Sequence, residues 1–121
     1  MTNHRSVYYI DLVLFLVLAT PGVNHYLLEF VLSFSESDWS AASLSLATPL
    51  LGLAGVLGLG LAWMRLASAD SRLIVQTSLL VKLAAAAWLG WLALSGVSVI
   101  FAVFAAADLF AASLLILALV R

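Results

Sequence analysis

Cysteine is absent from the 121 residues, which removes disulfides, thiolate metal sites, CxxC redox chemistry and covalent haem attachment in one step. Charge is scarce as well. Only 9% of the residues are charged, against roughly 25% in a soluble domain, and five Lys and Arg face six Asp and Glu for a net charge of −1. No segment is basic enough to follow a phosphate backbone, so nucleic acid is excluded as a partner. There are two histidines, His4 and His25; they fall at opposite ends of the first apolar segment, so neither bis-histidine haem nor a metal set is expected. Gly52, Gly55, Gly58 and Gly60 are followed by no Gly-Lys-Ser/Thr and preceded by no strand pattern, so they form no phosphate loop and read as helix-packing positions. Ser71, Thr77 and Ser78 have no histidine within reach, which leaves a hydrolytic triad unsupported. With no nucleophile, metal set or cofactor motif, an enzyme ranks last among the function classes and no cofactor is expected.

What is abundant is apolar sequence, with 65% hydrophobic residues and a mean hydropathy of +1.20. A bilayer core about 30 Å thick takes about 20 apolar residues per helix. The chain therefore has room for four spans and short connections, and none for a soluble catalytic domain. The expected fold is all-α, a four-transmembrane-helix bundle forming one integral membrane domain over residues 1–121.

The run from Leu73 to Val120 is interrupted only by Lys82 and Asp108 and is long enough for two spans and a turn. The stretch Ser95-Gly96-Val97-Ser98 supplies the turn-like composition near its middle. This places helices at about 72–94 and 97–120. The polar stretches at 35–38 and 65–72 bracket another helix at about 43–66, with Thr48-Pro49 in its first turns, where proline costs least. The first span is expected at about 7–34, kinked at Pro21. A second reading stands beside it: residues 22–34 as an interfacial helix, because His25, Glu29 and Ser33 recur at four-residue spacing and make a polar stripe. Asp11 inside the first apolar stretch argues against a cleaved signal peptide.

Lys and Arg set the orientation. Arg5, Arg65, Arg72 and Arg121 fall at the termini and in the second connection, whereas the first and third connections carry none and the first carries Glu36 and Asp38. By the positive-inside rule both termini are cytoplasmic. Tyr8, Tyr9 and Trp63 then read as an inner aromatic belt, with Trp39, Trp88 and Trp91 as the outer one.

Lys82 lies ten residues after Arg72, or about 15 Å along a helix, near the bilayer midplane. Asp108 lies at matching depth, since the two residues stand 13 positions on either side of Ser95. Each charge costs about 2.5–3.5 kcal/mol at a helix centre, and opposite charges at one depth offset that cost. Small residues one turn away, Ser78, Ala85 and Ala86 around Lys82 and Ala105, Ala111 and Ala112 around Asp108, permit close helix approach. Ala54, Gly58 and Ala62 form a similar stripe on the preceding helix. The pair reads as a structural lock first and as a proton or ion site second. His25 and Glu29, four residues apart, are a second polar pair suited to a proton or a polar ligand.

The order of a polar connection at Arg65–Arg72, Ile74-Val75, Lys82-Leu83 in mid-helix, a turn at Gly96 and Asp108-Leu109 in mid-helix resembles small bacterial four-helix membrane proteins, loosely those of the DoxX type. The resemblance covers the second half of the chain and implies a four-helix fold in a bacterial cytoplasmic (inner) membrane. DoxX-type members are sometimes small subunits linked to quinone redox systems, but no cofactor motif here supports that role. Small multidrug transporters carry a mid-membrane Glu in their first helix, whereas Glu29 falls near the outer end. Besides the lipid bilayer, the expected partner is another membrane protein or a second copy of the chain. The leading expectation is a helper or structural subunit of a membrane complex. The alternative is a proton-coupled small transporter or channel acting as a homo-oligomer.

Overall fold

The computed structural model describes residues 3–35 and 37–120; Glu36 and Arg121, both counted in the orientation argument, lie outside them. The described residues form five helices and no strand: α1 (Asn3–Ala19), α2 (Val23–Leu32), α3 (Ala41–Ala67), α4 (Arg72–Leu94) and α5 (Ile100–Val120). Three of them, α3, α4 and α5, are long and apolar enough to cross a membrane, and α1 with α2 adds a fourth span if the bent pair counts as one.

The single kinked helix expected over 7–34 is two helices, bent by 100° at the break. Pro21 has no N–H to offer the Val17 carbonyl, and the Thr20 amide takes that carbonyl instead at 3.3 Å. Gly22 then adopts φ 83°, in the left-handed region that favours glycine, and redirects the chain before α2 begins. A kink needs only the missing hydrogen bond; the left-handed glycine turns it into a corner. At its other end α1 begins at Asn3, four residues earlier than expected.

The remaining boundaries follow from capping. The Ser40 hydroxyl accepts from the Ser43 amide at 3.1 Å and starts α3 at Ala41. Pro49 therefore lies two turns inside α3, deeper than the expected start near Ser43 placed it, and there it removes a helical hydrogen bond. Helix α4 ends in a Schellman arrangement: the Val97 amide reaches Leu92 O and the Gly96 amide reaches Ala93 O, both at 3.2 Å, with Gly96 at φ 78°. Helix α5 starts at Ile100, three residues later than expected, because Ser98 is held in the turn, accepting from the Ile100 amide and donating to Val31 O at 2.6 Å.

Helix α1 packs chiefly against α3 and α4 against α5, and the two pairs meet along α1 and α5. Backbones in the first pair come very close. A Cβ added at Gly55 would stand 2.4 Å from the Ala19 nitrogen, and one added at Gly58 would stand 2.2 Å from the Phe15 ring. The buried stripe on α3 is Gly55, Gly58 and Ala62; Ala54, expected in it, is exposed, and Gly60 meets nothing within 4 Å. The interior of the α4/α5 pair is equally small-grained, built on Ala86, Ala105 and Ala112.

His4, Asp70, Arg72 and Leu119 line one recess, so the start of α1, the end of α5 and the α3–α4 connection share one end of the bundle, called here the terminal end. At the far end α2 crosses from Thr48 on α3 to Ser98 before α5. Most large side chains face outward, Leu80, Phe110 and Leu94 among them. Trp63, Trp88 and Trp91 are exposed as a belt requires, but Tyr8 is fully buried in a cluster with Val7, Ala69, Val75 and Leu115 and belongs to no belt.

Candidate functional site

Each long helix brings one charge to a common point. On α1, His4, Tyr8 and Asp11 recur at four- and three-residue steps and so share a face, and Ser78 and Lys82 do the same on α4. Asp11 lies eight residues from the start of α1 and Lys82 ten residues from the start of α4, about 12 and 15 Å from the terminal end. Asp108 comes from the middle of α5 and Arg65 from the last turn of α3, its side chain turned inward.

Lys82 Nζ donates to Asp11 Oδ1 at 2.5 Å and to Asp108 Oδ1 at 2.8 Å. Arg65 Nη1 stands 3.6 Å from Asp11 Oδ2. All four side chains lie in the interior, with 4% of Asp11, 11% of Arg65, 12% of Lys82 and 17% of Asp108 exposed. Two carboxylates, one ammonium and one guanidinium sum to zero, so no charge is left without a counterion. The ammonium spends two of its three donors on two different helices, which ties α1, α4 and α5 through a single atom.

Asp11 and Arg65 do not appear in the pair read from the sequence. With α1 taken to begin at Val7, Asp11 falls four residues in, near the membrane surface; with the true start at Asn3 it falls level with Lys82. The signal available was an acidic residue inside an apolar stretch, which argued only against signal cleavage. Arg65 was counted as a free charge of the second connection, whereas it sits inside α3 and bends back to Asp11. Its long apolar stem allows this reach from the end of a helix.

His25 and Glu29 form a separate site on α2. His25 Nε2 lies 3.2 Å from Glu29 Oε1, and His25 Nδ1 lies 3.2 Å from Thr48 Oγ1. Both side chains are half exposed, and beside them Asn24, buried, donates to Thr48 O at 3.1 Å. Among the described residues no hydrogen bond or ion pair joins this pair to Lys82 and Asp108. No three His, Cys, Asp or Glu of the described residues converge as metal ligands. At the terminal end His4 Nε2 donates to Ala69 O at 3.1 Å, and Arg5 pairs with Asp70.

No protein-family model, curated protein or solved structure matches the chain, so its chemistry rests on the network and helix packing described above.

Proposed function

We propose that this chain is a helper or structural subunit of a membrane complex, inserted in a bacterial cytoplasmic membrane with both termini on the cytoplasmic side. The observation that carries the reading is charge balance within the network. One residue from each of α1, α3, α4 and α5 meets there, and every charge has an opposite neighbour. Such a network fixes which helices meet and at what depth, beside the close packing of faces that are mostly alanine and glycine. The start of α1, the end of α5 and the α3–α4 connection, with Arg5 and Arg72, lie at one end; the excess of arginine there supports the cytoplasmic orientation. Nothing in the network calls for a substrate. Affinity isolation from native membranes, read for stoichiometric partners, tests the reading. A defined heteromeric assembly is expected, and a strictly monomeric or homodimeric isolate would overturn it in favour of transport by a homo-oligomer.

A further inference from the structure

The four charges pair, but the polar groups beside them on the terminal-end side do not. Tyr8 and Ser78 are 0% and 1% exposed, and neither hydroxyl closes a hydrogen bond. Tyr8 stands one turn before Asp11 on α1 and Ser78 one turn before Lys82 on α4, so the Lys82–Asp11 bond sets the two hydroxyls level with each other on the terminal-end side of the network. Arg65 Nη1 and Asp11 Oδ2, at 3.6 Å, are also too far apart for a direct hydrogen bond. On this side of the network two buried hydroxyls are thus without a partner and Arg65 falls short of Asp11 Oδ2. A buried water typically satisfies about three such groups at once, and a water lying beside the open Arg65–Asp11 contact can bond to both. We propose that Tyr8, Ser78, Asp11 and Arg65 bind one water molecule, and that this water exchanges only with the terminal end of the bundle.

The sidedness follows from what lies above and below. Toward the terminal end a single layer separates the hydroxyls from open solvent: Val75 packs in the cluster with Tyr8 and Leu115, and also lines the recess formed with His4, Asp70 and Arg72. Toward the far end no comparable route opens among the described residues. No Ser, Thr, Asn, Gln or charged residue occurs at 12–19, 49–64, 83–94 or 99–107, and Phe15 is packed against Gly58 directly above the network. The network is therefore wetted from one compartment alone.

The cysteine-free chain permits a direct test with silver ion, a thiol reagent close to water in size. Ser78→Cys and Ala86→Cys, one turn to either side of Lys82, are reconstituted separately in lipid vesicles. Vesicles are sorted by capture of a C-terminal tag, so that the terminal end faces outward or inward. Silver is added outside, and the thiol left unreacted is counted with a fluorescent maleimide after denaturation. Ser78→Cys is expected to react at least tenfold faster from the terminal end than from the far end, and at least tenfold faster than Ala86→Cys from either. Equal rates from both ends, an inert Ser78→Cys beside a reactive Ser68→Cys, or an equally fast Ala86→Cys would overturn the proposal. Should Ser78→Cys fail to fold, water-edited solid-state NMR of the unsubstituted chain decides. Magnetisation from water should reach the Tyr8 ring several-fold faster than the methyls of Leu115, which is equally buried, and equal build-up would overturn it. Failure of either test in a chain of unchanged thermal stability removes the water and leaves the structural role of the network standing.

Discussion

Lys82 occupies the one position in the network that touches two carboxylates, and substitutions there and at its partners should differ for that reason. Lys82→Met leaves Asp11 to a guanidinium 3.6 Å away and Asp108 with no counterion. Breaking a buried pair from one side costs about 3–5 kcal/mol, and this variant is expected in that range. Asp108→Leu leaves Lys82 still bonded to Asp11, and the surplus positive charge rests on Arg65, near the helix end, whose stem can carry it toward water. Its cost should fall below about 3 kcal/mol. The double variant keeps Asp11 with Arg65 and restores zero charge, so it should recover most of the stability lost in Lys82→Met. Thermal unfolding of the three variants in lipid checks the order, and a Lys82→Met variant as stable as the parent would show that the network carries no load. A lock regains activity with stability in the double variant; a proton site stays inactive, so any growth phenotype of a deletion separates the two roles.

At the scale of the element, the glycines of α3 are not equivalent. Gly55→Ala would place a methyl group 2.4 Å from a backbone nitrogen of α1, which cannot move without the helix moving. Overpacking of this kind costs typically 1–3 kcal/mol, at about that magnitude here. Gly60→Ala meets nothing and should stabilise by up to about 1 kcal/mol through helix propensity. Equal effects at the two positions in thermal unfolding would show that α1 and α3 do not pack as described. The corner between α1 and α2 depends on Gly22 in a left-handed conformation, which costs a residue with a Cβ about 1–2 kcal/mol. Helix α2 is further held by the Ser98 hydroxyl on the Val31 carbonyl. Ser98→Ala should therefore raise hydrogen exchange over 23–32 at least tenfold while leaving α3 and α4 protected, and unchanged exchange over α2 would count against that tie.

For the whole molecule, the arrangement of ends predicts an alternating topology. His4 lies beside Ala69 at one end, and Val31 beside Ser98 at the other, so α1 and α2 together carry the chain the full length of the bundle. Reporter fusions after Ser37 and Gly96 should give one signal, and fusions after Ser68 and Arg121 the other. The proposed orientation makes the second pair cytoplasmic. A cytoplasmic signal at Ser37 alone would mean that α1 and α2 do not cross, with α2 lying along the membrane surface.

Apolar runs and the few residues that interrupt them are properties of the chain itself, because insertion in a bilayer is decided by length and composition along single segments. The all-helical fold, the long helices ending near residues 66, 94 and 120, and the placing of Lys82 and Asp108 in mid-helix were therefore legible in the sequence. Asp11 was not, because its depth depends on where α1 starts, and a helix can begin several residues outside the apolar run that identifies it. Arg65 was hidden because a long side chain at a helix end can turn toward solvent or toward the core, and only a partner in space decides which. Tyr8 read as a belt aromatic for the same reason: depth along a helix is sequence information, but the direction it faces depends on which neighbours pack against it. The corner at Pro21-Gly22 likewise needed α3 and α5, since a proline and a glycine permit a kink or a turn equally. The contacts of Asn24 with Thr48 and of Ser98 with Val31 hold α2 across the far end of the bundle.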